Sequence, residues 1–421
     1  MWTWASRVLG PGILFASAAI GVSHLVQSTR AGALFGFDLV GVVVAANVLK
    51  YPFFEFGSRY ACATGRSILD GYRRQGRWML GLYLALTLAS MFAVAAAVTF
   101  VCAGLFAYLF GLDPGAAAAV AAGLLATCAV VLAAGKFGLL DGALKALALV
   151  LTLTTLWATG VAVFDWAAGA LPAPAPGPDA APAFSWASLP FLIALMGWMP
   201  TAVDLSAWNS LWTVEKMRQT GYRPTLRETL ADFHLGYWLS AGLALCFLTL
   251  GALLMHGRGV PLADGAVGSA AQLVGLYAEA VGGWVRPVIG VAAATVMLST
   301  VITVLDGYSR SLVETLQLLR TGADAPPADG PRGYVLGVAL LAAGSALILL
   351  FLAASLTALV DFATTLSFVI APVFAALNLR VVCAAEVAPE HRPGPWLRAL
   401  AWAGLAFLTG FSLLFLWTLV R

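Results

Sequence analysis

The 421 residues are 61% hydrophobic and 10% charged, with a mean hydropathy of +0.91, a balance that excludes a water-soluble globular domain. The net charge of +3 is small and evenly spread, which argues against nucleic acid as a partner. Cys62, Cys102, Cys128, Cys246 and Cys383 stand singly, without metal-binding spacing, and read as small packing residues.

Met1 to Gly12 has one arginine ahead of a long apolar segment, with no short apolar core followed by a small-residue cleavage site, so the first segment is expected to stay in the mature protein. From there, stretches long enough to cross a bilayer recur with short polar connections. They fall at 9–36, 38–58, 79–110, 115–135, 138–166, 187–213, 233–256, 283–308, 333–354, 357–379 and 397–420, which predicts eleven spans in one all-α polytopic membrane protein. A β-barrel is excluded, because Leu80 to Phe110 runs without a charge where a barrel strand would alternate, and only a helix satisfies its own backbone there.

Charge sidedness orients the map. With the N-terminus inside, the cytoplasmic connections hold most of the Lys and Arg, including Arg59, Arg66, Arg73, Arg74, Arg77, Lys216, Arg218, Arg223 and Arg227, whereas the outside receives Arg258, Arg286 and Arg421. The expectation is a cell-membrane protein with a cytoplasmic N-terminus and an external C-terminus. The Pro/Ala-rich linker between spans 5 and 6 has no Lys or Arg and falls outside. It divides the chain into a first repeat (1–166), the linker (167–186), a second repeat (187–379) and a tail with the eleventh span (380–421). Two sets of five spans, if repeats, are inserted with opposite topology, as in many transporters.

The first span of each set is the interrupted one. Span 1 carries Gly21, Ser23 and His24 at mid-membrane, and span 6 carries Met199-Pro200-Thr201 followed by Asp204. Proline removes a backbone donor, and a backbone opened in lipid needs polar partners, so paired breaks point to a solute site.

At these residues the chain resembles the natural resistance-associated macrophage protein (Nramp) family of divalent-metal transporters. The resemblance is carried by Gly10-Pro11-Gly12, Ala31-Gly32-Ala33 with Phe35-Gly36, Ala63-Thr64-Gly65, Leu139-Leu140-Asp141 and Met199-Pro200. It implies a LeuT-type inverted repeat of five plus five helices with an eleventh added and helices 1 and 6 broken. The family's metal-binding Asp-Pro-Gly-Asn falls here on Gly21, Val22, Ser23 and His24, and its Met-Pro-His on Met199, Pro200 and Thr201, with the second histidine falling on Ser206. The acidic residues that the family uses on span 3 and its basic partner on span 9 have no counterpart.

The expected substrate-binding set is therefore Gly21, Ser23, His24, Gln27, Met199, Thr201 and Asp204. His24, Met199 and Asp204 are the candidates for touching a metal. Lys50, Arg30 and Asp361 are candidates for charge or proton coupling, since an intramembrane charge is costly and defaults to function. Arg30 could pair with Asp306 or Asp361, Glu55 with Arg59 at i, i+4, and Asp232 and His234 are expected at the interface. Walker, H-E-x-x-H and G-x-S-x-G motifs are absent, so an enzyme is not expected, nor any cofactor. Two readings remain for the cargo: a divalent cation, or, with the family's Asp replaced by Gly21, a small anion such as bicarbonate or a carboxylate, or a zwitterion. A receptor or scaffold leaves the paired breaks unexplained. The partners are thus the transported solute and the bilayer.

Overall fold

The computed structural model describes residues 8–135, 137–172, 182–258, 262–323, 331–352 and 355–420. Arg7, Lys136, Arg421, the middle of the Pro/Ala linker and the side chain of Asp141 lie outside the described residues. The described chain is helical, and its long helices follow the expected spans: Val40–Thr64 (span 2), Arg77–Leu109 (span 3), Ala117–Ala133 (span 4) and Phe137–Ala167 (span 5) in the first half. Leu226–Leu254 (span 7), Arg286–Thr321 (span 8), Pro331–Leu352 (span 9), Leu356–Val382 (span 10) and Pro395–Val420 (span 11) follow in the second.

Spans 1 and 6 are each two helices. Pro11–Ala19 (span 1a) and Ser23–Phe35 (span 1b) meet at a 45° bend, and span 1b opens with a π-helical turn over Ser23–Ser28. Leu189–Gly197 (span 6a) and Leu205–Thr220 (span 6b) flank a non-helical stretch.

Several helices outrun their expected ends. Span 8 has 36 residues and would measure about 54 Å at 1.5 Å per residue, well beyond a hydrocarbon core of about 30 Å. Its C-terminal part carries Arg310, Glu314 and Arg320 and packs in part against the rest of the bundle, with Ser311, Leu312, Thr315 and Leu318 buried. Span 7 starts at Leu226 because Thr225 and Glu228 form a capping box. Two helices were not anticipated: Ile68–Gln75, capped by Ser67, and Ala266–Val281 between spans 7 and 8. Both are shorter than a crossing and mix polar with apolar residues, so a search for bilayer-length runs passes over them.

Hydrocarbon gives helices no hydrophobic reason to associate, so close packing through small residues does that work. Span 7 grips both halves of span 1 in this way. A Cβ on Gly12 would lie 1.9 Å from the Asp232 carbonyl oxygen, and one on Gly236 2.0 Å from the Gly12 oxygen. Further along, Gly32 faces Leu248 and Gly251 faces Thr29 at 2.0 and 2.2 Å. The two starts meet at one face of the bundle, hereafter the near face, and the two ends at the far face, where His256 Nδ1 lies 3.0 Å from the Ala33 carbonyl. Gly197 brings span 6a equally close to Thr364 of span 10, and Gly57 of span 2 approaches Ser206 of span 6b. Both broken spans are thereby held by unbroken neighbours.

Candidate functional site

At the break in span 1, freed carbonyls find neutral hydroxyls. The Thr300 hydroxyl of span 8 lies 2.8 Å from the Ser17 carbonyl and 3.3 Å from that of Ile20. The Ser23 oxygen lies 2.9 Å from the Ala19 carbonyl, 2.7 Å from His24 Nδ1 and, across the gap between the broken spans, 3.2 Å from the Pro200 carbonyl, three acceptors that share its one hydrogen. His24 is fully buried. Its Nε2 lies 2.8 Å from the Ser240 carbonyl, which can only accept, so Nε2 carries the hydrogen and Nδ1 is left to accept from Ser23 at 2.7 Å. Neither ring nitrogen offers a free lone pair to a metal in this arrangement.

The break in span 6 is charged. Lys50, fully buried on span 2, donates to the carbonyls of Met196 at 3.0 Å, Gly197 at 3.0 Å and Thr201 at 2.8 Å. A helix ends with carbonyls that lack partners and with the negative pole of its dipole, and span 6a ends at Gly197. The three accepting oxygens match the three N–H donors of an ammonium, whereas a neutral amine has two. Asp204 starts span 6b, is 3% exposed, and its Oδ1 has no hydrogen-bond partner among the described residues. The Tyr308 hydroxyl of span 8 is buried beside this carboxylate, and it too makes no hydrogen bond of normal geometry among the described residues.

Between the breaks lies a cavity of about 30 Å³, near the space of a single water molecule. Ser23, Thr201, Asp204, Thr300 and Tyr308 supply its polar lining, and Val94, Val98, Trp198 and Trp208 its apolar walls. Asp204 is the one charged side chain in that lining.

A second cluster closes the far side. Arg30 makes a forked pair with Asp361 at 2.7 and 3.2 Å, tying span 1b to span 10. Gln27 donates to the same carboxylate at 2.9 Å and accepts from Arg30 at 2.8 Å, and Phe191 of span 6a lies under the guanidinium. On the near side Asp232 is buried in the protein. It caps the start of span 1a, accepting from the Gly10 and Gly12 amides at 3.1 and 2.6 Å. His234 keeps a half-exposed position against Tyr51 at 2.6 Å.

The expected residues therefore sort into places. Ser23, Thr201 and Asp204 share the cavity, Gly21 and His24 back it from span 1, and Lys50 sits on the span 6 carbonyls. Gln27, Arg30 and Asp361 form the far-side closure, and Asp306 pairs with Arg310 instead. Met199 is fully buried and outside the cavity lining. Glu55 and Arg59 pair at 2.6 Å as expected. Sequence reading missed Thr300 and Tyr308, although Thr300, Val304 and Tyr308 recur every four residues and so mark one face of span 8. Among the described residues no group of three or more His, Cys, Asp or Glu side chains is placed to hold a metal ion.

The profile of the family described as natural resistance-associated macrophage protein-like matches residues 12–418. The chain belongs to the Nramp family. Similar sequences include an uncharacterized protein of Pasteurella multocida, 37% identical over 98% of this chain and 93% of its own length. The divalent metal cation transporter MntH of Burkholderia ambifaria is 25% identical over 73% of this chain and 66% of its own length. Among solved structures, a variant of the Eremococcus coleocola manganese transporter superposes with a TM-score of 0.74 at 14% identity, covering 98% of this chain and 86% of that one. Mhp1, a nucleobase-cation-symport-1 family transporter, matches at a TM-score of 0.52 and 14% identity, over 98% of this chain and 91% of its own. The fold is thus the LeuT-type arrangement of Nramp transporters, in a multi-pass membrane protein.

Proposed function

We propose that the chain is a secondary-active transporter that carries a divalent metal cation through the cavity between the two breaks, with Asp204 as its one anionic ligand. The observation that carries this reading is the unpartnered Asp204 Oδ1 at the cavity wall. A buried carboxylate oxygen without a donor costs about 1–3 kcal/mol or more, and a cation supplies what it lacks. Ser23, Thr201 and Tyr308 would add neutral oxygens, a donor set that suits a hard ion keeping part of its water shell. His24 and Met199 then shape the site from behind.

An anion is disfavoured, because the carboxylate would face it and the Lys50 N–H groups are all committed to carbonyls. The names of the Burkholderia and Eremococcus relatives support a divalent metal. Closure by Arg30–Asp361 on one side and Asp232 on the other fits an occluded state of an alternating-access cycle. In this reading residues 1–166 and 187–379 are the two inverted repeats, and the near face, rich in Arg and Lys, is cytoplasmic.

Proteoliposomes test the proposal. Mn²⁺ or Mg²⁺ uptake by the wild type, lost in Asp204→Asn, is the expected result. Entry of labelled bicarbonate or a carboxylate without either metal sinks it.

A further inference from the structure

Lys50 is an unusual partner for the end of a half-helix. Its ammonium lies 2.8–3.0 Å from three carbonyl oxygens, those of Met196, Gly197 and Thr201, and 6.0 Å from the centre of the Phe54 ring. Carbonyl oxygens converging at the negative pole of a helix, with an aromatic face beside them, form the surroundings of a bound monovalent cation. Here the chain itself supplies the cation, from a helix 146 residues away in sequence.

We propose that Lys50 is a tethered cation: its ammonium fills a three-carbonyl cation seat at the span 6 break that a dissolved monovalent cation would otherwise occupy. The transporter consequently needs no free ion at that position. The seat is separate from the Asp204 carboxylate, since no ion pair within 4.0 Å joins Lys50 to Asp204 among the described residues. It does adjoin the cavity, because Thr201 contributes its carbonyl to the seat and also lines the cavity wall. The inference goes beyond the cargo reading and stands on different atoms.

Lys50→Met is the informative variant, because methionine fills the space of the lysine stem without a donor or a charge. The full chain in detergent is melted by tryptophan fluorescence while KCl, NH₄Cl or NaCl replaces N-methyl-D-glucamine chloride at constant ionic strength. Wild type should show no saturable response to any of these cations. Lys50→Met should show a saturable rise of at least about 2 °C with K⁺ or NH₄⁺, the ions nearest in size to the ammonium head.

The double variant Lys50→Met/Asp204→Asn separates the two sites. A rise that persists there places the ion on the carbonyls, whatever becomes of the cargo reading, and a rise that disappears places it on Asp204 and overturns the proposal. A flat response in folded Lys50→Met, or an equal saturable response in wild type, overturns it too. Should Lys50→Met aggregate, Lys50→Gln, which keeps two N–H donors for three carbonyls, is judged by the same criterion.

Discussion

The two breaks solve one problem with opposite chemistry. At the span 1 break, carbonyls are met by Thr300 and Ser23, and His24 links Ser23 to Ser240 as a neutral strut. At the span 6 break a buried cation, Lys50, lies on the carbonyls and a buried anion, Asp204, begins the next half-helix with one oxygen unmatched. A satisfied neutral network holds its shape and asks for nothing more; a charged one with an open valence has chemistry left to do. On the proposed reading, recognition of cargo belongs to span 6, and span 1 supplies the scaffold that faces it.

The comparison breaks first at Asp204. Replacing it with asparagine keeps the size and removes the one charge on the cavity wall, and apparent affinity for the carried metal should fall by about 100-fold or more. Metal-dependent uptake in proteoliposomes reads this directly, and Asp204→Glu should retain part of it. If Asp204→Asn transports like wild type while His24→Gln does not, the roles of the two breaks are reversed.

His24 comes next. His24→Ala deletes bonds on both ring nitrogens and leaves Ser23 and Ser240 short of a partner in the core, so stability should drop by about 2–4 kcal/mol. Thermal melting in detergent measures it. Uptake per folded molecule should stay within about threefold of wild type for a strut. Loss of uptake without loss of stability would instead make the imidazole part of the cargo site. Thr300→Val is a smaller version of the same test. It keeps the shape, removes the hydroxyl that serves Ser17 and Ile20, and should cost about 1–2 kcal/mol in melting with little change in uptake.

Much of this architecture was legible in the sequence, because bilayer physics leaves few options. Apolar runs the length of a membrane predicted the eleven spans, and Gly21 and Pro200 marked the breaks. Asp204 and Thr201 were expected at the break because they follow Pro200 closely, and both line the cavity there. The partners that give these residues their roles were not legible, since they come from distant helices: Met196 is 146 residues from Lys50, and Ser240 is 216 from His24. From composition, Lys50 could equally be a coupling residue or a snorkelling one, and only the three carbonyls around its ammonium give it a role. The capping role of Asp232 was hidden for the same reason, its partners Gly10 and Gly12 being more than two hundred residues upstream.

The far-side closure gives the finest test of how the two breaks cooperate. Arg30 reaches Asp361 with two nitrogens while a third contact goes to Gln27, so span 1b, span 10 and, through Phe191, span 6a are held by one planar group. Lysine carries the same charge as a single point and cannot make the fork, so Arg30→Lys should weaken the closure by about 1 kcal/mol without removing it. That loss is too small to unfold the bundle, but it acts on the short helix Thr29–Phe35, whose amides should exchange with deuterium several-fold faster. Amides of span 6a should follow if the two broken helices open as one unit on this side, because Phe191 rides on the same guanidinium. Faster exchange in Thr29–Phe35 with an unchanged span 6a would show that the neutral half moves alone and that the charged half, pinned by Lys50, stays fixed.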